Sequence, residues 1–169
     1  MDPSLDSRRR WFEEYIDRVE HGVSAPPQAG MRYPCPCCGY PTLLERGSYE
    51  ICELCNWEDD GQDDPHADEV WGGPNGAYSL SEARANFKQY LIMYSPDDLA
   101  SRINASDSPM EQQAKRAIMA AFDAMLTEAD PQALNALWQR VFANEQILQR
   151  ELQRKVREHE ARMRDQDAS

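Results

Sequence analysis

Apolar residues recur at helical spacing in four stretches of this chain, and the long segment between the first and second lacks that rhythm. Leu5, Trp11, Phe12, Tyr15, Ile16 and Val19 share one face of a 3.6-residue period, which predicts an amphipathic helix over residues 5–20 that closes near Gly22. The following Ser24–Gly30 holds Pro26 and Pro27, which lack amide donors and restrict the residue before them, so it reads as a linker. Ser79-Leu-Ser-Glu82 has the form of a capping box, and Ala83, Phe87, Tyr90, Leu91 and Tyr94 continue at helical spacing to about Tyr94, just before Pro96. Ser108-Pro-Met-Glu111 repeats the start signal, with Ala114, Ala117, Ile118, Ala121, Phe122 and Met125 as its apolar stripe.

Asp130-Pro131 opens the last helix, whose apolar positions Leu134, Leu137, Trp138, Val141, Phe142, Leu148 and Leu152 fade into charged residues after position 153. The stripes Trp138/Phe142 and Ile118/Phe122/Met125 predict a core between two packed helices. A helix from 131 to about 160 outruns so small a core, so its end either projects into solvent or meets a partner, self-association included. No internal repeat is evident.

Between Tyr33 and Tyr78 the sequence is rich in Cys, Pro, Gly and Asp, with short strand-like runs at Pro41–Leu44 and Tyr49–Cys52. Such a segment has too few aliphatic residues to build a core alone and needs a staple. Cys35 and Cys38 form one C-x2-C pair and Cys52 and Cys55 another, with 13 residues between the pairs. Zinc takes four soft ligands in a tetrahedron, and each C-x2-C turn offers two thiolates on one side, so the expected cofactor is one structural Zn2+ held by Cys35, Cys38, Cys52 and Cys55. Gly39, just after the second ligand, permits the positive φ that such a turn needs. Cys37 is left over: either a small side chain beside the metal or a reactive thiol, though no histidine lies near it in sequence to act as base.

Charge alters the picture of partners. The net charge is −12. Residues 31–70 alone carry ten acidic and two basic side chains, whereas residues 131–169 carry six and seven. A field of that sign repels phosphate backbones and attracts basic surfaces, which makes nucleic acid a poor partner and a basic protein a good one. The densest acidic run, Glu58, Asp59, Asp60, Asp63, Asp64, Asp68 and Glu69, lacks the alternating spacing of a calcium loop and reads as a solvated recognition loop, the candidate partner-binding surface. His66 either joins Asp64 or Asp68 at a second metal or is simply exposed. Trp57 is expected to pack over the cysteine turns, and the glycines of Trp71–Gly76 to serve turns rather than a phosphate loop. Arg8-Arg-Arg10 reads as an ordinary solvated helix face.

The segments Tyr33-Pro-Cys-Pro-Cys-Cys-Gly-Tyr40, Tyr49-Glu-Ile-Cys-Glu-Leu-Cys-Asn-Trp-Glu-Asp-Asp-Gly61, Gly73-Pro-Asn75 and Ser79-Leu-Ser-Glu-Ala-Arg-Ala-Asn-Phe87 together resemble the cysteine-rich CPCC family of short, mostly bacterial proteins. The resemblance covers residues 32–95 and implies a zinc-ribbon-like fold. It brings no activity with it.

The combined expectation is an α+β protein. A small four-cysteine zinc-ribbon-like module with short antiparallel strands spans residues 31–95, an N-terminal helix and proline-rich linker occupy 1–30, and a C-terminal helical region with a long final helix fills 96–169. No stretch approaches the roughly 20 apolar residues of a membrane span, and Met1–Arg10 has no apolar segment behind it, so a cytoplasmic protein is expected. Three functions follow. The first is a non-enzymatic protein-binding module, in its sharper form a bacterial immunity protein that neutralises a basic toxin. The second is a regulatory or nucleic-acid-binding zinc ribbon. The third is an enzyme, working through the thiol of Cys37 or through Asp59, Asp60 and His66.

Overall fold

The structure is a computed structural model that describes residues 4–28 and 30–169; Met1–Pro3 and Ala29 of the linker lie outside them. The chain divides into two compact units, Met1–Ser106 and Asp107–Ser169.

In the first unit, helix α1 runs from Leu5 to Glu20, with the Ser4 hydroxyl accepting from the Ser7 amide and Gly22 closing the far end at φ 71°. It buries Phe12, Tyr15 and Ile16 as its periodicity predicts. It also buries Arg8, which the sequence reading placed in solvent. The guanidinium lies 4.4 Å above the Tyr40 ring and donates to the Cys38 carbonyl at 2.9 Å. A planar cation that stacks on an aromatic face while spending a donor on a carbonyl tolerates such burial.

Strands β1 (Tyr33–Pro34) and β2 (Pro41–Leu43) pair antiparallel, Tyr33 opposite Leu43 and Pro34 opposite Pro41. The second strand-like run, Tyr49–Cys52, forms only an isolated bridge between Ile51 and Glu58. The reason is local: Tyr49 sits at φ 63° in the left-handed region, so extended backbone cannot propagate through it. Helix α2 (Leu80–Tyr90) starts at the predicted capping box, with both reciprocal Ser79–Glu82 bonds made. It ends four residues short of Tyr94. Leu91 turns left-handed at φ 58°, and the Met93 amide donates to the Cys55 carbonyl, which draws the chain back to the cysteine turns. A short helix that the periodicity missed, α3 (Leu99–Asn104), is capped by the Asp98 carboxylate.

The second unit is a helical hairpin of α4 (Pro109–Met125) and α5 (Pro131–Asp167). Ser108 closes a capping box with Glu111 and also donates to Glu151 at 2.9 Å. Phe122 meets Trp138 edge to face at 5.6 Å between centroids, the packing the two stripes predict. Phe142 is the exception. The residues of α5 that face α4 are Trp138, Val141, Glu145 and Leu148, at alternating spacings of three and four; Phe142, one residue beyond Val141, turns away and is 45% exposed. At 1.5 Å per residue α5 is about 55 Å long against about 25 Å for α4. Its last buried residue is Glu151, and the helix continues beyond position 160 to Asp167.

Truncating Phe122 to Ala should therefore destabilise the hairpin by about 3 kcal/mol, as expected for emptying a fully buried aromatic site. Phe142→Ala should change stability by less than about 1 kcal/mol. Urea unfolding followed by far-ultraviolet circular dichroism separates the two; comparable losses would contradict this packing.

Candidate metal centre

Two turns of matching geometry build the centre. In the first, Cys35-Pro-Cys-Cys38 is followed by Gly39 at φ 79° and Tyr40; in the second, Cys52-Glu-Leu-Cys55 is followed by Asn56 at φ 69° and Trp57. The Gly39 amide donates to the Cys35 carbonyl at 2.8 Å and the Asn56 amide to the Cys52 carbonyl at 2.9 Å. The Cys35 amide donates to the Tyr40 carbonyl at 2.9 Å and the Cys52 amide to the Trp57 carbonyl at 2.8 Å. The left-handed residue reverses the chain after the second sulfur, so glycine and asparagine, which tolerate that conformation best, occupy equivalent places. The turns are thus an internal repeat that sequence inspection overlooked, although the shared pattern Cys-x2-Cys-(Gly/Asn)-aromatic was there to be read. Gly39 has a second constraint: a Cβ there would lie 2.8 Å from Leu5 Cδ1 and 3.3 Å from the Leu5 carbonyl, so α1 approaches the first turn as closely as its backbone allows.

The four sulfurs converge. Cys35 and Cys55 Sγ are 3.6 Å apart, Cys38 and Cys52 Sγ 3.7 Å apart, and all four lie within 4.8 Å of one another and are buried. Disulfide sulfurs would be about 2.0 Å apart. A tetrahedron with metal–sulfur bonds of about 2.3 Å has edges of about 3.8 Å, so the four cysteines are positioned to hold one metal ion in a manner consistent with zinc. Their chemistry agrees. Burial pushes the Cys35 and Cys55 thiols well up and that of Cys38 to about 11. Burial opposes ionisation at Cys52 too, but hydrogen bonds from the other three thiols and from Thr42, whose Oγ1 is 3.0 Å away, hold its value well down. Four buried thiolates this close together need a cation. The Trp57 amide, 3.5 Å from Cys55 Sγ, adds a donor of the kind that stabilises metal-bound sulfur. Trp57 is itself fully buried.

Cys37 stands outside this set. It is buried and borders a cavity of about 460 Å³ whose lining includes Arg8, Arg84 and Lys88.

The acidic run is organised very differently from a solvated loop. Asp59 is 0% exposed; its Oδ2 accepts from Arg46 Nε at 2.8 Å and from the Gly47 amide at 2.7 Å, and its Oδ1 from the Gly61 amide at 3.3 Å. Asp63 accepts from Arg46 at 3.0 Å and from Arg9 at 2.8 Å, while Asp64 accepts from Arg9 at 2.9 Å and from Arg84 at 2.7 Å. Burial works against ionisation of Asp63, but the Asp64 amide, Arg46 and Arg9 keep its carboxyl below the usual range; the Arg84 hydrogen bond does most to lower Asp64. Asp60 accepts from the Gln62 amide, Asp68 from the Ser81 hydroxyl, and Glu69 from Trp71 Nε1 with His66 Nδ1 3.2 Å away. The Glu58 backbone is bracketed by the Asn75 side chain, which accepts from its amide at 3.0 Å and donates to its carbonyl at 2.8 Å. Arg9, Arg46, Arg84 and Asn75 are the working residues that sequence reasoning missed. Their partners are remote in sequence, and only the density of acid around a few arginines hinted at them.

The family described as Cysteine-rich CPCC matches residues 33–101. Residues 33–101, the CPCC segment, are similar to this family. The match takes in both cysteine turns, the acidic loop and α2, and leaves α1 and the helical hairpin outside the CPCC segment. No curated protein and no solved structure matches the chain.

Removing Arg46 while leaving Asp59 buried strands a carboxylate without its cation. Arg46→Ala should destabilise the CPCC segment by about 3 kcal/mol. Asp59→Asn should be milder, and the double variant should lose clearly less than the sum of the two, because each single change already breaks the same pair. Thermal unfolding of the metal-loaded chain measures all three; strict additivity would show the pair to be unimportant.

Proposed function

We propose that this chain is a non-enzymatic binding protein in which one structural zinc ion, held by Cys35, Cys38, Cys52 and Cys55, fixes an acidic module that captures a basic partner protein. The observation that carries this reading is the closure of the site: four protein sulfurs lie within 4.8 Å of one another and all four are buried, which leaves no open position and suits structural rather than catalytic zinc. What such a module offers to another molecule is its surface. Three arginines neutralise Asp59, Asp63 and Asp64, yet ten carboxylates lie in residues 31–70 against Arg32 and Arg46 in the same stretch, so a negative field remains. Glu58, Asp60, Asp68 and Glu69 have no arginine partner among the described residues and would meet the partner, while the arginine-paired Asp63 and Asp64 hold the loop's shape.

In its sharper form the partner is a basic, nucleic-acid-cleaving toxin, and the chain is the immunity protein that blocks it in a bacterial cytoplasm. Charge complementarity suits that task, because it accelerates capture and disfavours nucleic acid as a competing ligand. Among the described residues no helix is long and apolar enough to cross a membrane.

Two measurements bear on this proposal separately. Elemental analysis of the purified chain should find one zinc per molecule; Cys52→Ser and Cys55→Ser should abolish it and unfold the CPCC segment, whereas Cys37→Ser should retain both metal and fold. Zinc content untouched by Cys52→Ser would overturn the assignment of the ion to this site. The second is to mix the metal-loaded chain with the protein encoded by the adjacent gene. A complex that weakens steeply with salt, together with relief of toxicity in co-expression, is the expected result. Neither complex nor relief would overturn the immunity form, and tight salt-dependent binding to RNA or DNA would instead favour a regulatory ribbon.

A further inference from the structure

Beyond Glu151, α5 has no buried residue among the described residues, yet it keeps an apolar rhythm. Leu152, Val156 and Met163 are 61, 48 and 46% exposed. With His159 they fall at successive spacings of four, three and four, the d-a-d-a seam of a heptad repeat. A lone surface helix of about 24 Å has no need of such a stripe, since helical propensity and ion pairs along its faces suffice to keep it folded.

From this seam we propose that the chain forms a parallel homodimer in which the two α5 ends, residues 152–167, pair as a short two-stranded coiled coil. The flanking charges select both the occupant and the direction. With Leu152 at d and Val156 at a, the g positions are Lys155 and Arg162 and the e positions are Gln153, Glu160 and Asp167. In a parallel, in-register pair each g residue faces the e residue five positions on in the other helix. That sets Lys155 against Glu160 and Arg162 against Asp167, each twice by the two-fold symmetry, and every contact is attractive. In an antiparallel pair g faces g, which would put Lys155 against Arg162 and leave Gln153 against Glu160. Glu160, Arg162 and Asp167 form no ion pair within the chain among the described residues, so these charges are available. Lys155 bridges to Glu111 at 2.5 Å, and its ammonium would be shared with Glu160 of the second copy.

The seam explains two other features. Val at a with Leu at d favours two strands over three, and the polar His159 within it fixes register at some loss of stability. It also gives a reason for α5 to run past the end of α4. This proposal concerns the helical hairpin alone and does not depend on what the CPCC segment binds.

The test uses the full zinc-loaded chain. Sedimentation velocity over a concentration series should show a mass rising from 19.4 kDa toward twice that value. Val156→Asp should hold the protein at monomer mass with its helical circular dichroism retained. Arg162→Glu, which turns two attractive contacts repulsive, should weaken association by roughly tenfold or more, and adding Asp167→Arg should restore it. Met163→Cys should give a disulfide-linked dimer under mild oxidation, because the two a-position sulfurs meet only in a parallel, in-register pair; the five native cysteines are buried and the parent chain serves as control. Monomer mass at every concentration would overturn the proposal, as would dimerisation unaffected by Val156→Asp. A dimer that Met163→Cys fails to cross-link would overturn the parallel geometry.

Discussion

Four sulfur atoms that cannot all carry their charge without a cation set the terms for the rest of the first unit. Hydrogen bonds hold the Cys52 thiol well down, while burial pushes those of Cys35, Cys38 and Cys55 up. Bringing four buried ligands to within 4.8 Å of one another is therefore a folded-state arrangement that a metal ion makes favourable and that the bare polypeptide resists. Little else could take its place. The sheet is one pair of strands of two and three residues, far below what stands alone in water.

Around that centre the module solves a second electrostatic problem with arginine. Asp59, Asp63 and Asp64 would repel one another in a loop this tight, and Asp59 would be costly to bury unpaired. Arg46 from the loop after β2, Arg9 from α1 and Arg84 from α2 each bridge two carboxylates of this set. Guanidinium suits this duty because its several fixed donors can serve two carboxylates at once. The same geometry ties down α1, which lies outside the CPCC segment: Arg8 caps a carbonyl of the first cysteine turn while its neighbour Arg9 grips the acidic loop.

What could be read from the sequence follows the range of the interactions. The cysteine pairs, the capping boxes at Ser79 and Ser108, the proline at the first position of α4 and the stripe of Ile118, Phe122 and Met125 depend on residues a few positions apart, and the structure has all of them. The end of α2 was misjudged because its stop comes from a bond between Met93 and Cys55, nearly forty residues apart in sequence. Tyr49 was read as strand because its side chain favours one, but its backbone is left-handed where its amide meets the Asp59 carbonyl. Apolar periodicity predicts Phe142 in the core because it marks a stripe without saying which edge of that stripe faces the partner helix; Phe142, one residue beyond Val141, turns away. The acidic run was legible as composition and illegible as structure, since its cations come from α1, α2 and a loop.

Metal and acidic loop are not independent parts. Arg84 donates through Nε to the Pro36 carbonyl at 2.9 Å, inside the first cysteine turn, and through Nη2 to Asp64 at 2.7 Å. One rigid planar group therefore fixes the distance between the backbone that presents Cys35 and Cys38 and the carboxylate in the loop. Arg8 and Arg9 do the same from the other helix, one on the Cys38 carbonyl and the next on Asp63 and Asp64. If the first turn lost its metal, both carbonyls would be free to move and the arginines would lose the anchor that aims them at the loop. The acidic surface would keep its charge but lose its shape. A metal held by the four cysteines would thus define a charged surface it never touches, because the guanidiniums that pair with the carboxylates also hydrogen-bond to the turn it would close.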